Sequence, residues 1–348
     1  MRTPRRALLA LPAALLPARS RPAGARPAPR ALSWTDAARG RDLPLLLRLP
    51  GGTGPAPLVL VSPGLGGTRH GLAYLGEALA EAGFLVLHLQ HPGTDDGLWR
   101  GAADRRLAFA AAASDAGRAL DRLRDVAFVL DELPRRTELA GRLDAARIAI
   151  AGHSYGAWLV QHMLGQRLPG GDRGLALPDP RLGAGIALSP MPAEGLPQRL
   201  AFARVTAPIL HVTGTEDRGW IGGTLPGDRR QPFDAIAAPG ALAILEGAAH
   251  GSFAGEPGAG GRWEEAGFHP RVAGLALAFL RGLWLGDAAA RRALRAGMPG
   301  LLEAGDRLEA RAWGECRTTR WNGRRGAAWR GWTRPGAARS PARSWRRR

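Results

Sequence analysis

Apolar residues along this chain fall into two rhythms. Short, mostly apolar runs at 43–49, 57–62, 84–89, 185–188, 209–212 and 242–245 have the length of buried strands. Between them the spacing turns helical. Leu72, Leu75 and Leu79 share a face within 71–82, and Leu120, Leu123, Ala127 and Leu130 form a stripe within the Ala-rich stretch 103–133. A final helix is predicted over 272–285; it is apolar but short and carries Arg281, so it reads as core and not as a membrane span. Strands alternating with helices predict an α/β fold, a mostly parallel sheet wrapped by helices in one domain.

One further run differs in how it ends. Arg147-Ile148-Ala149-Ile150-Ala151 leads straight into Gly152-His153-Ser154-Tyr155-Gly156, and an apolar helical pattern follows through Ala157, Trp158, Leu159, Val160, Met163 and Leu164. Strand, very tight turn and helix, with serine at the apex, is the context of a nucleophile elbow. The flanking glycines let strand and helix approach each other, and the serine itself takes a strained backbone conformation. The N–H of Tyr155 then stands at a helix N-terminus, where it can bind negative charge. The competing reading is an ordinary strand-to-helix turn with an exposed serine.

A serine hydroxyl needs a base in hydrogen-bond reach, and the base needs an orienting acid. In this architecture they follow the serine in the order acid, then histidine, at the ends of later strands. The 209–212 run ends in Thr213-Gly214-Thr215-Glu216-Asp217, and the 242–245 run ends in Glu246-Gly247-Ala248-Ala249-His250-Gly251. His250 is therefore the candidate base. Asp217 is favoured over Glu216 as the acid, because neighbouring side chains in extended backbone diverge and only one can curl back to the imidazole. His211 reads as a buried strand residue, His153 as pointing away from the serine, and His269 as a surface residue. His88 and His91 flank a strand end from which either can line the site. The second oxyanion donor is sought in Pro63-Gly64-Leu65-Gly66-Gly67, after the 57–62 strand. Pro63 has no N–H, which leaves Leu65. Trp99 and Trp158 read either as walls of an acyl pocket, together with the stretches 97–115 and 165–182, or as core.

Charge changes the picture only at the ends. The net charge is +18 and every basic residue is Arg. Residues 1–30 hold seven Arg and no acid, residues 311–348 hold twelve Arg and one acid, and the body 31–310 is neutral, which disfavours nucleic-acid binding by the body. The first 30 residues read as an export signal, with Arg2, Arg5 and Arg6 before a short Ala/Leu core and a small-residue site at Ala23-Gly24-Ala25, implying a periplasmic or secreted protein. The alternative, a disordered extension, leaves the protein cytoplasmic. The tail 311–348 reads as disordered; its Trp321, Trp329, Trp332 and Trp345 among arginines suit contact with anionic surfaces. The single Cys316 precludes an intramolecular disulfide and no zinc-ligand spacing is present. A phosphate-binding loop is excluded because no Gly-Lys-Ser/Thr occurs.

Taken together, these segments resemble the α/β-hydrolase superfamily. More narrowly, they are similar to the bacterial predicted dienelactone-hydrolase-related group, which borders the platelet-activating-factor acetylhydrolase type. The resemblance spans residues 33–308. It rests on Trp34-Thr35-Asp36-Ala37-Ala38-Arg39, Ser62 through Gly67, His88-Leu89-Gln90-His91-Pro92-Gly93-Thr94-Asp95-Asp96, the elbow, Thr213 through Asp217, Asp228-Arg229-Arg230-Gln231-Pro232-Phe233-Asp234, and His250 before Phe253. It implies an eight-stranded, mostly parallel sheet and a Ser/Asp/His triad falling on Ser154, Asp217 and His250, with Tyr155 and Leu65 as oxyanion donors. It implies a serine esterase without cofactor or metal, acting on small-molecule carboxylic esters of short or medium acyl chain. A lipase or polyester hydrolase is an alternative within the class, and a non-catalytic binding protein of the same fold is one outside it. Two positions depart from relatives: Pro63-Gly64 stands where many have His-Gly, and Ser154 stands where true dienelactone hydrolases have cysteine. The segment 190–208 is too short for a large cap domain, which suggests an open site.

Overall fold

The computed structural model describes residues 27–170, 174–255 and 266–311. Residues 1–26 of the proposed export signal and 312–348 of the basic tail lie outside the described residues. The apolar runs form strands because both of their faces are covered. β3 (Ala56–Ser62) is buried at every position. Its Leu58 and Leu60 join one core while Val59 and Val61 join the other. β5 (Leu143–His153) divides in the same way, with Ile148 and Ile150 on one face and Ala149 and Ala151 on the other. Period-two division of a continuous apolar run is what a sheet between two helical layers requires.

The remaining strands are β1 (Arg30–Asp36), β2 (Arg41–Arg48), β4 (Leu85–Leu89), β6 (Arg167–Leu168), β7 (Leu175–Ala176), β8 (Leu182–Leu188), β9 (Ile209–Glu216), β10 (Gly240–Ala249) and β11 (Arg307–Arg311). The main sheet has nine strands in the order β1-β2-β4-β3-β5-β8-β9-β10-β11; β6 and β7 pair separately. β4, β3, β5, β8, β9 and β10 run parallel. β1 and β2 are antiparallel at one edge and β11 is antiparallel to β10 at the other. The ninth strand corrects the expected count of eight. β11 reads Arg-Leu-Glu-Ala-Arg, half-exposed with no apolar run, and is a strand only because the β10 edge offers it partners.

On one face lie α3 (Ala116–Glu132), α4 (Tyr155–Met163) and α5 (Gln198–Phe202); on the other lie α1 (Ala73–Glu81), α7 (His269–Trp284) and α8 (Ala288–Arg295). α2 (Arg105–Ala113) and α6 (Gln231–Ala235) complete the set. The single helical stretch expected over 103–133 is two helices. Asp104 accepts the Leu107 N–H at the start of α2, and Asp115 accepts the Gly117 and Arg118 N–H groups at the start of α3. An aspartate cap starts a new helix wherever the chain has just turned. α7 begins three residues earlier than predicted, with Pro270 in its first turn. Among the described residues no helix is long and apolar enough to cross a membrane.

Candidate active site

β5 runs without a break into the turn that the glycine spacing predicted. Ser154 has φ 56° and ψ −115°, a conformation that a residue with a side chain rarely adopts, and α4 starts at the next residue. The flanking glycines are required by contact. A methyl group at Gly152 would overlap the Gly156 backbone, and one at Gly156 would overlap the Ser62 carbonyl. The Ser154 N–H donates to Leu188 O at 2.9 Å, which ties the apex to β8. Tyr155 is the first residue of α4, so its N–H has no intrahelical acceptor.

The structure brings the three sequence-chosen side chains together. Ser154 Oγ is 2.9 Å from His250 Nε2, and His250 Nδ1 is 2.8 Å from Asp217 Oδ1. His250 opens a short 3-10 turn directly after β10, and Asp217 follows β9 by one residue. The two loops can meet because β9 and β10 touch at their ends: a methyl group at Gly214 would overlap the Ala248 carbonyl. Asp217 is buried and the neighbouring Glu216 is exposed. Thr213 Oγ1 donates to Asp217 Oδ2 at 2.8 Å. Burial pushes the Asp217 carboxyl up, but the His250 hydrogen bond, the Arg229 charge and Thr213 outweigh it and hold it below its ordinary value. It is therefore a carboxylate at neutral pH, which fixes Nδ1 of His250 as donor and leaves Nε2 as acceptor toward the serine.

The glycine loop lies beside the elbow. A methyl group at Gly64 would stand 3.6 Å from Ser154 Cβ, so Pro63-Gly64-Leu65 runs alongside the serine. Gly66 N–H donates to Thr94 O at 2.8 Å and Trp99 Nε1 donates to Gly66 O at 2.9 Å, which brace the loop from outside. Phe109 packs against Gly66 and meets Trp220 edge-on at 5.2 Å. A cavity of about 410 Å³ lies beside this loop, lined by Arg69, Gln90, Asp96 and Trp99 among others.

Sequence reasoning missed what two residues do here. Arg229 is buried, pairs with Asp217 at 2.9 Å, and places Nη2 3.2 Å from His250 Nδ1. Its Nη1 holds the carbonyls of Ser189 and Pro190 at 3.1 and 3.2 Å. His153 places its Nε2 2.9 Å from the carbonyl oxygen of His250 and its ring 4.8 Å from the His250 ring. Burial first, then the nearby His250, pushes its pKa down to about 3, so it is neutral and donates that bond. The elbow thereby carries a strut to the loop that bears His250. No spacing rule points to either contact, since each partner arrives from a distant loop.

The other histidines are mostly interior. His211 lies inside β9, packed edge-on to Phe233. His88 is sealed under α1, with Nδ1 3.2 Å from Gly71 O, and does not line the site. His91 is also fully buried; its Nε2 is 3.1 Å from Ser62 Oγ and its Nδ1 is 3.0 Å from Asp125 Oδ2. His269, expected on the surface, is half-buried and stacks on Tyr74 at 3.8 Å. Trp158 packs against Tyr155, His162 and the α3/α4 core, whereas Trp99 braces the glycine loop. Within the stretch 165–182, Arg167–Leu168 and Leu175–Ala176 pair as the small β6/β7 ribbon, beside Leu196 and Gly195. Among the described residues no group of three or more His, Cys, Asp or Glu converges to hold a metal ion.

No protein-family model and no curated protein sequence matches this chain.

Proposed function

We propose that this protein is a serine hydrolase of the α/β-hydrolase fold that cleaves carboxylic esters through an acyl-enzyme. One observation carries the reading: a serine in a strained elbow whose Oγ is 2.9 Å from the Nε2 of a histidine, itself 2.8 Å from a buried carboxylate. The strand-turn-helix setting and the Ser, Asp, His chain order support it.

His250 takes the Ser154 proton as Oγ attacks the ester carbonyl. Asp217 holds the imidazole in the productive tautomer and stabilises the imidazolium that forms. The Tyr155 N–H at the head of α4 and the Leu65 N–H of the glycine loop receive the oxyanion of the tetrahedral intermediate. His250 then gives its proton to the departing alcohol, and water repeats the sequence on the acyl-enzyme. Phe109 and Trp220 offer an apolar wall near the loop, which suits an acyl chain of short or medium length.

Hydrolysis of p-nitrophenyl esters of graded chain length by the full chain and by Ser154→Ala tests this. Turnover by the first that collapses in the second establishes a serine esterase, and the chain-length profile sizes the pocket. Absence of turnover, together with failure of a fluorophosphonate to label Ser154, overturns the reading in favour of a binding protein of this fold.

A further inference from the structure

Beneath the glycine loop lies a cation that the proposed chemistry does not yet use. Arg122, on α3, is fully buried. Its Nη2 donates to Pro63 O at 2.6 Å and to Ser62 Oγ at 3.0 Å, and its Nη1 donates to Thr94 Oγ1 at 3.1 Å. Its guanidinium carbon lies 4.7 Å from the centre of the Tyr155 ring. None of the three hydrogen bonds goes to a carboxylate, and Nε has no partner among the described residues. A buried guanidinium without an acid bonded to it is costly to keep, because its lost hydration is only partly replaced. Burial pushes its pKa down to about 10, against the raising effect of Tyr155 and Asp125, so it stays charged at neutral pH.

Its contacts converge on the two segments that carry the oxyanion donors. Pro63 precedes Leu65 by two residues and enters the loop beside Ser154. Thr94 holds the other side of that loop, because its carbonyl accepts the Gly66 N–H. Arg122 thus grips the loop at its front directly and at its back through Thr94. The residue that carries the other donor, Tyr155, lies with its ring against the same guanidinium.

We propose that Arg122 is a positioning residue for the oxyanion site, setting the spacing of the Leu65 and Tyr155 N–H groups and placing a fixed positive charge behind them. The proposal rests on the ester-hydrolase reading. A resting ester carbonyl is neutral and full negative charge appears only as the tetrahedral species forms, so a cation behind the donors favours the transition state over bound substrate. Its effect falls on kcat and leaves KM nearly alone.

The test uses the full chain, with kcat expressed per active site titrated to completion with a fluorophosphonate. Arg122→Met is expected to lower that kcat by about 10²-fold with KM changed less than about threefold. Arg122→Lys keeps the charge but not the fork, and is expected to lose about tenfold. Inhibition by a trifluoromethyl ketone, which forms a tetrahedral oxyanion adduct on the serine, is expected to weaken in parallel with kcat. A role confined to folding would reduce the titratable fraction and the melting temperature but leave kcat per site and ketone affinity unchanged; that result overturns the proposal. If Arg122→Met does not fold, Thr94→Val, which removes one anchor and leaves the charge, decides by the same two readouts. Wild-type protein that neither turns over esters nor labels at Ser154 sinks the hydrolase reading and this inference with it, whereas active wild type with unaltered variants sinks the inference alone.

Discussion

Two Ser–His–Asp chains run through this protein. Ser154, His250 and Asp217 are linked at 2.9 and 2.8 Å; Ser62, His91 and Asp125 are linked at 3.1 and 3.0 Å, through the same imidazole nitrogens in the same order. Each carboxylate also meets arginine: Asp217 meets Arg229, and Asp125 meets Arg39 and Arg41. The difference lies in the surroundings. In the second chain all three residues are fully buried, Ser62 ends an ordinary strand, and its Oγ already accepts from Arg122. In the first chain the serine is held at a positive φ, the histidine side chain is 21 % exposed, and a helix begins at the next residue. Residue types and bonding order do not by themselves make a nucleophile. Access, an unoccupied face of the hydroxyl and a place for developing charge decide it.

The sharpest way to break this comparison is to remove each serine in turn. Ser154→Ala is expected to cut ester kcat by about 10⁴- to 10⁶-fold with little change in stability. Ser62→Ala is expected to keep turnover within about tenfold while lowering unfolding free energy by about 1–3 kcal/mol, since it strips partners from buried groups. Paired kinetics and urea titration check both, and equal losses of turnover would erase the distinction. The acids come next. Asp217→Asn is expected to lower kcat by about 10⁴-fold through the wrong imidazole tautomer. Asp125→Asn is expected instead to cost about 3–5 kcal/mol of stability by leaving Arg41 without its carboxylate and taking from Arg39 one of its three, readable as a drop in denaturant midpoint.

The closed chain also predicts an acid response. Burial, then the Arg122 charge, pushes His91 down to about 4 from an ordinary 6.5, although Asp125 pulls the other way. The unfolded chain therefore takes up a proton on this residue before the folded one does. Its contribution to stability is complete above about pH 6.5 and is lost as pH falls to about 4, a difference on the order of 3 kcal/mol. Asp125, held down to about 2 by His91 and Arg41 against the cost of burial, gives up its own contribution lower, between its ordinary value and about 2. Thermal melts from pH 7 to 4 should fall less steeply in His91→Gln by about one proton. His88, His153, His162 and His211, each pushed by burial to about 3, keep the remaining slope. The smallest expected effect is at the elbow. Ser154→Gly should raise unfolding free energy by about 1 kcal/mol by relieving its backbone, measured in the same titration.

What could be read in advance follows from where the information sits. Ser154, Asp217 and His250 were legible because each stands just beyond an apolar run, so the strand pattern itself aims them at one end of the sheet. The Ser62–His91–Asp125 chain was not, since β3, the loop after β4 and α3 meet only in three dimensions. Arg229 was visible as part of a motif, yet its bond to Asp217 depends on the turn at 226–230 folding back to a residue twelve positions earlier. β11 left no trace because an edge strand facing solvent needs no apolar pattern, only a neighbour with free backbone groups.

The first hairpin has a consequence for any shortened form of the protein. Arg39 and Arg41 stand in and just after the turn between β1 and β2, and both reach across to Asp125 on α3. A processing cut near Ala23-Gly24-Ala25 leaves that hairpin whole. A cut, natural or engineered, that begins the chain at the apolar part of β2 would look harmless in a hydropathy plot. It would remove both guanidinium groups and leave Asp125 with His91 but no bonded cation, among the residues that support the glycine loop. The trimming limit for expression or for proteolytic maturation therefore lies upstream of β1, whose Trp34 belongs to the core, and not at the start of the apolar run in β2.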